Sequence, residues 1–88
     1  MLLLFKLNKQ GRVAMYIYPR LKDLREDLDM NQESIAKLLD TTQTQYSRWE
    51  RGAQEIPLHH VITLAEYYRV SLDYITGRTN NKKGKYAR

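Results

Sequence analysis

Five polar side chains fall close together between residues 43 and 48, and each has groups that can hydrogen-bond to nucleic acid. They are Gln43, Thr44, Gln45, Ser47 and Arg48. A glutamine can pair bidentately with adenine and an arginine with guanine, and hydroxyls can reach bases or phosphates. Tyr46 and Trp49 lie among them three positions apart, which is the spacing of a buried stripe on a helix. The pattern predicts a short helix that buries its aromatic side and turns its polar side outward.

A preceding helix must hold this segment in place. The apolar residues of that helix fall on one side, namely Ile35, Ala36, Leu38 and Leu39. Asn31 is a favourable N-cap for it. Thr42 and Gln45 match a capping box at the start of the next helix, and Gly52 is placed to close that helix in a left-handed conformation. We therefore expect two short helices joined by a tight turn.

Three further helices are predicted from apolar spacing and from residues that favour helix ends. The first begins near Pro19 and places Leu21, Leu24 and Leu28 at helical spacing. The fourth begins at Pro57. The last is capped by Ser71 and ends at Gly77. The sequence thus predicts five helices in one small unit.

Length and composition limit the class of protein. Eighty-eight residues allow one domain with one core. The absence of cysteine excludes disulfides and thiolate chemistry and fits a reducing cytoplasm, where we expect the protein to act. The longest apolar run, residues 2–5, is far shorter than the roughly 18 to 20 residues of a membrane span. We therefore expect neither secretion nor membrane insertion.

The formal net charge of +5 is unevenly distributed. Residues 1–14 carry three basic side chains and no acid, and residues 78–88 carry five and no acid. Residues 15–77 hold seven basic and ten acidic side chains. Because the part with the polar helix is mildly acidic, attraction to a polyanion must be local to one face, where Arg48 and Arg51 fall.

The chain divides into an N-terminal extension (residues 1–14), a helical domain (15–77) and a basic tail (78–88), which we expect to be flexible or ordered by a partner. The extension combines an apolar run, a turn signal at residues 9–11 and the start of a stretch rich in β-branched and aromatic residues, which is typical of a strand or hairpin. Three interpretations remain open: an element that pairs with another subunit, an upstream extension with Met15 as the natural start, and a cloning remnant.

Over residues 19–77 the chain resembles the Xre-like helix-turn-helix family, the bacterial and phage repressors related to Cro and the phage lambda repressor. The matching residues are 20–25, 31–33, 35–36, 46–52 (Tyr-Ser-Arg-Trp-Glu-Arg-Gly), 57, 64–65 and 70–77. The resemblance implies an all-α, five-helix bundle similar to the lambda repressor domain. It further implies binding to a double-stranded DNA operator, usually as a homodimer, with the third helix in the major groove.

The resemblance also implies roles for single residues. The base-reading positions would be Gln43, Thr44, Gln45 and Arg48. The phosphate-binding positions would be Gln32, Thr42, Ser47 and Arg51, and Gln32 would in addition brace Gln43. Two positions depart from the family pattern, since Asp40 stands where glycine is common in the turn and Thr41 where an apolar residue is usual. An altered turn would change the angle of the third helix.

Simpler interpretations compete with several assignments. The polar triplet at residues 43–45 also fits a capped, solvated helix start, and Arg51 also fits a helix C-terminus that favours positive charge. Tyr46 and Trp49 are better explained as core than as base-stacking groups, because they share the inward stripe. The basic tail fits either a solvated terminus or a contact to the DNA backbone.

Neither a cofactor nor catalysis is expected. His59 and His60 are adjacent, so on a helix they point about 100° apart, and no cysteine completes a metal site. Glu66 and Asp73 come with no nucleophile or phosphate loop.

Two functions therefore follow as hypotheses. The first is a cytoplasmic, sequence-specific transcriptional regulator, most naturally a repressor, that binds DNA as a homodimer. The second is an antitoxin-like protein-interaction module that neutralises a toxin through the N-terminal segment or the tail, a role that does not exclude DNA binding.

Overall fold

The computed structural model describes residues 16–83, and within that range every regular element is a helix. The helices are α1 (Pro19–Asp27), α2 (Gln32–Leu38), α3 (Gln43–Glu50), α4 (Leu58–Tyr68) and α5 (Leu72–Ile75). For these described residues, the prediction of an all-α bundle of five helices is confirmed. The strand or hairpin predicted for residues 1–14 lies outside the described residues. No described helix has the length and apolar character needed to cross a membrane.

Three predicted N-caps are confirmed by side-chain hydrogen bonds. The Asn31 side chain accepts from the backbone N–H of Ser34 at the start of α2. Thr42 accepts from Gln45 at the start of α3, and Ser71 accepts in the same way at the start of α5. Each cap satisfies a backbone donor that the first turn of a helix leaves unpaired, so the sequence fixes these three starting points locally.

All five helices contribute to one core. The largest fully buried side chains are Leu21, Ile35, Tyr46, Leu64 and Ile75, one from each helix. Two leucines expected on buried stripes are instead exposed: Leu28 because α1 ends at Asp27, and Leu38 because α2 packs through Ile35, Ala36 and Leu39. Helical spacing identified the apolar side of each helix, but it did not show which residues at the ends of that side are exposed.

The turn between α2 and α3 accommodates the unusual residue at position 40. Asp40 has a left-handed backbone with φ of 57°, and the N–H of Thr41 donates to the carbonyl of Ala36 over 2.9 Å. This hydrogen bond closes α2 as a glycine-containing turn would. Aspartate enters the left-handed region more easily than most non-glycine residues, so the turn forms without glycine.

The segment before α1 packs against the end of α3. Gly52, just after α3, has φ of 81°, and a Cβ built there would lie 2.8 Å from the Cβ of Ile17. Position 52 therefore needs glycine for two reasons, the left-handed backbone and the close approach of Ile17. The contact holds the end of α3 against the start of the domain.

Part of the basic tail lies against the bundle, although we expected the tail to be flexible or ordered by a partner. The Arg20 guanidinium donates to the carbonyl oxygens of Tyr74 and Thr79 and to the side chain of Asn80. The backbone N–H of Ser71 donates to the carbonyl of Lys82 over 2.7 Å. These contacts fasten residues 79–82 to α1 and α5, and residues 84–88 lie outside the described range.

Candidate nucleic-acid interface

The outer side of α3 presents the polar residues that the sequence singled out. Gln43, Thr44 and Arg48 are exposed and Gln45 is half-buried. Of the residues assigned to phosphates, Thr42 and Arg51 are exposed, and Gln32 and Ser47 are half-buried. Tyr46 and Trp49 are buried in the core. The eight assigned residues thus belong to α3, its two ends and the first turn of α2, and none of them is buried.

A hydrogen bond joins the first turns of α2 and α3. The side-chain N–H of Gln43 donates to the side-chain oxygen of Gln32 over 2.7 Å. Gln32 in turn donates to the Glu50 carboxylate over 3.0 Å. The bracing contact expected between the two glutamines is present, and it continues inward to a buried charge.

Arg25 on α1 completes this network. Its guanidinium donates to both carboxylate oxygens of Glu50, over 2.8 and 2.9 Å, and to the carbonyl of Met30. The Arg25 and Glu50 side chains are only 11% and 4% exposed. Burial alone would raise the pKa of Glu50, but the hydrogen bonds from Arg25 and Gln32 outweigh it and hold that pKa below its ordinary value. A bidentate buried ion pair therefore ties α1 to the end of α3.

Sequence reasoning missed this ion pair, although one signal for it was available. Glu50 follows Tyr46 by four positions, so it lies on the same inward side of α3. A charge on a buried stripe requires a partner, and Arg25 supplies it from 25 residues away. Nothing in the spacing of the two residues identifies the pair.

Gln45 does not complete the predicted capping box. Thr42 accepts from the Gln45 backbone, but the Gln45 side chain does not reach back to Thr42. It donates instead to the side-chain oxygen of Gln54, over 2.7 Å, in the loop between α3 and α4. Gln54 is an exposed residue that the sequence did not single out, and it fixes the direction of the Gln45 amide.

The two adjacent histidines lie at the start of α4 near α3. Their ring centroids are 4.1 Å apart, and the His60 ring lies 5.0 Å from the ring of Trp49. Burial, with a smaller contribution from His59, lowers the pKa of His60. In the part of the chain that is described, no group of three or more histidine or carboxylate side chains is close enough to hold a metal ion.

Comparison with known proteins agrees with this geometry. A family model described as "Helix-turn-helix" matches residues 21–75, more than half of the chain. The chain is also 32% identical over 69 residues to a Bacillus subtilis (strain 168) protein named "Uncharacterized HTH-type transcriptional regulator YobD". That match covers 78% of this chain and 62% of the relative, so the chain spans less than two thirds of the relative's length. No solved structure gives a significant match.

The family match begins in α1 and ends in α5, so it includes all five helices and both helices of the candidate interface. On this match and on the arrangement of α2 and α3, the chain belongs to the Xre-like helix-turn-helix family.

Proposed function

We propose that this protein is a sequence-specific DNA-binding transcriptional regulator, acting as a repressor, that reads the major groove with α3. The observation that carries the proposal is the outer side of α3, where two glutamine amides are held by side-chain hydrogen bonds next to an exposed arginine. Side chains held in one orientation can recognise bases at a smaller entropic cost than freely rotating ones. The similarity to a relative named as a transcriptional regulator supports the same proposal.

In this proposal the residues divide between two kinds of contact. Gln43 and Gln45 pair with adenine, Arg48 pairs with guanine, and Thr44 contacts a neighbouring base. Each bidentate pair contributes about 1 to 3 kcal/mol of discrimination against the wrong base. The phosphate contacts come from Gln32, Thr42, Ser47 and Arg51, and these contacts fix the position of α3 without reading sequence.

We further propose that the protein acts as a homodimer that binds two half-sites about 34 Å apart. A cleft between α4 and α5 supports this, because it has an apolar floor that includes Val61 and Leu72. Leu58 lines the same cleft and is 66% exposed. In a symmetric dimer each copy presents the same surface to the other, so the projecting Leu58 of one copy can enter the apolar cleft of the second.

Charge on the rim of the cleft fits the same arrangement. Glu55 and Asp73 line it together with Arg78, so the rim carries both signs of charge. In a two-fold pair the Arg78 side chain of one copy can face Glu55 of the other, because each surface meets itself in the opposite direction. The proposed occupant of the cleft is therefore a second copy of this chain.

Selection from random duplexes, followed by sequencing, tests the proposed function. We expect enrichment of one site made of two inverted half-sites. The same selection with Gln43→Ala should lose preference at one base pair in each half-site and keep the rest, while Lys37→Ala, an exposed change on α2, should leave the selected site unchanged. Equal preference in Gln43→Ala and in the wild type would remove Gln43 from base reading, and no enrichment at all would contradict the proposed function.

The antitoxin-like alternative depends on the N-terminal segment or the tail as its contact. Residues 1–14 lie outside the described range, and the tail through Lys82 contacts α1 and α5 of its own chain. No observation in the described residues favours a toxin as partner over a second copy.

A further inference from the structure

The loop after α3 places an amide acceptor beside a base-reading position. The Gln54 side-chain oxygen accepts from the Gln45 amide over 2.7 Å. The backbone of the loop is fixed to the last turns of α3, because Ala53 and Gln54 both donate to the carbonyl of Arg48, over 2.9 and 3.3 Å. Gln54 therefore has a defined position relative to Gln45.

The contact restricts what the Gln45 amide can offer to a ligand. A glutamine amide has two N–H donors and one carbonyl acceptor. One N–H of Gln45 is used by Gln54, which leaves the carbonyl oxygen and the second N–H free. One acceptor beside one donor is the pattern that matches the N6 amino group and N7 of adenine in the major groove.

We infer that Gln54 is a specificity-determining residue that acts by positioning Gln45. It orients the Gln45 amide so that the free acceptor and donor face an adenine edge, and it does so without contacting that base. The inference rests on the proposed function and extends it to a residue outside α3. Gln54 accepts a hydrogen bond from the Gln45 amide, just as Gln32 accepts one from the Gln43 amide.

The contact of Gln54 with Gln45 can be tested without disturbing the fold, whereas the contact of Gln32 with Gln43 cannot. Gln32 is hydrogen-bonded to buried Glu50, so its replacement disturbs the ion pair with Arg25. Gln54 is exposed, and its side chain contacts only Gln45 among the hydrogen bonds of the described residues. Gln54→Ala should therefore fold and melt as the wild type does.

The test measures equilibrium binding of the full chain to the selected duplex and to duplexes changed at single base pairs. Gln45→Ala first identifies the base pair that Gln45 reads. Gln54→Ala should then reduce discrimination at that same base pair by about 2- to 10-fold, the effect of one net hydrogen bond, and leave other positions unchanged. Glu66→Ala, an exposed change on α4 outside both the cleft and the candidate interface, is the control and should not alter discrimination.

Two further variants separate positioning from a direct contact. Gln54→Glu keeps an acceptor for the Gln45 amide, so it should retain discrimination at that base pair while weakening binding to every duplex through repulsion by phosphates. In Gln45→Ala, the added Gln54→Ala change should have no further effect on discrimination, because the two residues act through one amide.

The outcomes distinguish this inference from the proposed function. If Gln54→Ala weakens binding equally for every duplex, or leaves discrimination unchanged while Gln45→Ala reduces it, Gln54 does not position Gln45 and only this inference is overturned. If the wild type itself binds all duplexes equally, the proposed function fails as well.

Discussion

The Glu50 carboxylate links the buried core to the candidate interface on α3. It lies on the inward side of α3, and its carboxylate is paired with Arg25 and hydrogen-bonded to Gln32. Gln32 then holds Gln43 on the outer surface. The buried ion pair and the exposed amide therefore belong to one continuous network, so a change at Glu50 alters both the stability of the fold and the orientation of Gln43.

We predict that Glu50→Gln lowers the free energy of unfolding at neutral pH and makes that free energy less dependent on pH in the acidic range. Removing one partner leaves the Arg25 charge without its counterion, and breaking a buried pair costs about 3 to 5 kcal/mol. The pKa of Glu50 is lowered in the folded protein, so its contribution is complete above the ordinary value of 4.5 and is lost as the pH falls through the lower folded value. The wild type should thus lose more stability in acid than the variant.

Urea unfolding followed by Trp49 fluorescence, at neutral pH and below pH 4.5, measures this difference. Glu26→Gln is the matched control, because Glu26 is an exposed carboxylate on α1 that lies 3.9 Å from the same guanidinium. It should change stability little. Equal loss of stability in acid for wild type and Glu50→Gln would show that the ion pair is not formed in solution.

At the scale of the helices, the parts of the fold that sequence could predict are those fixed by local interactions. The N-caps at Asn31, Thr42 and Ser71 involve atoms three residues apart, so residue type and spacing were sufficient. Leu28 and Leu38 were assigned wrongly to the buried stripes, because burial depends on how helices pack and not on spacing alone.

The candidate interface divides in the same way. The polar side of α3 was predictable, since it is what remains when the aromatic stripe is turned inward. Most of the contacts that hold this side in place were not predictable. Arg25 pairs with Glu50, and Gln45 with Gln54, between separate elements of the chain, so neither contact leaves a periodic pattern in the sequence. Only the brace between Gln32 and Gln43 was anticipated, and that came from family resemblance.

The packing of the segment before α1 against the end of α3 can be tested at the glycine that follows α3. Gly52→Ala should destabilise the protein more than Gly77→Ala, although both glycines have a left-handed backbone. A Cβ at position 52 meets Ile17, whereas nothing lies within 4 Å of a Cβ at position 77. Strain in the left-handed region costs about 1 to 2 kcal/mol in each variant, and the clash adds to it only at position 52.

Thermal unfolding of the two variants measures the difference, and Ile17→Ala separates its cause. Alanine retains a Cβ but removes the rest of the side chain, so the segment before α1 can move away at a smaller cost. The penalty of Gly52→Ala should therefore be smaller in the Ile17→Ala background. Equal penalties at positions 52 and 77 would mean that this segment does not pack on the end of α3.

For the molecule as a whole, formal charge says little about where DNA would bind. The net charge of +5 comes from the two termini, and the domain between them is mildly acidic. Part of the tail is fastened to α1 and α5 through Arg20, so its first residues are not free to follow a DNA backbone. Binding in our proposal depends instead on the local arrangement of amides, hydroxyls and arginines around α3.

The proposed assembly of two copies through the cleft between α4 and α5 gives a prediction for the whole molecule. In the proposed dimer Leu58 enters the cleft of the second copy, so Leu58→Glu would place a charge in an apolar site and should convert the protein to a monomer. Affinity for a site with two half-sites should fall steeply, while affinity for a single half-site should change little. Leu38→Glu, which adds the same charge at an exposed leucine on α2, should remain a dimer.

Sedimentation of the free proteins and binding to the two kinds of duplex measure these effects. If Leu58→Glu remains a dimer and its affinity for paired half-sites is unchanged, the second copy does not occupy this cleft.

The role of α3 in DNA binding is tested most directly by titrating the isotope-labelled protein with its selected duplex and recording NMR spectra. We expect the largest changes in the side-chain amide signals of Gln43 and Gln45 and in the backbone signals of α3, with small changes in α5. If the signals of α3 stay in place while another surface of the bundle responds to DNA, α3 is not the recognition helix and the proposed mode of binding is wrong.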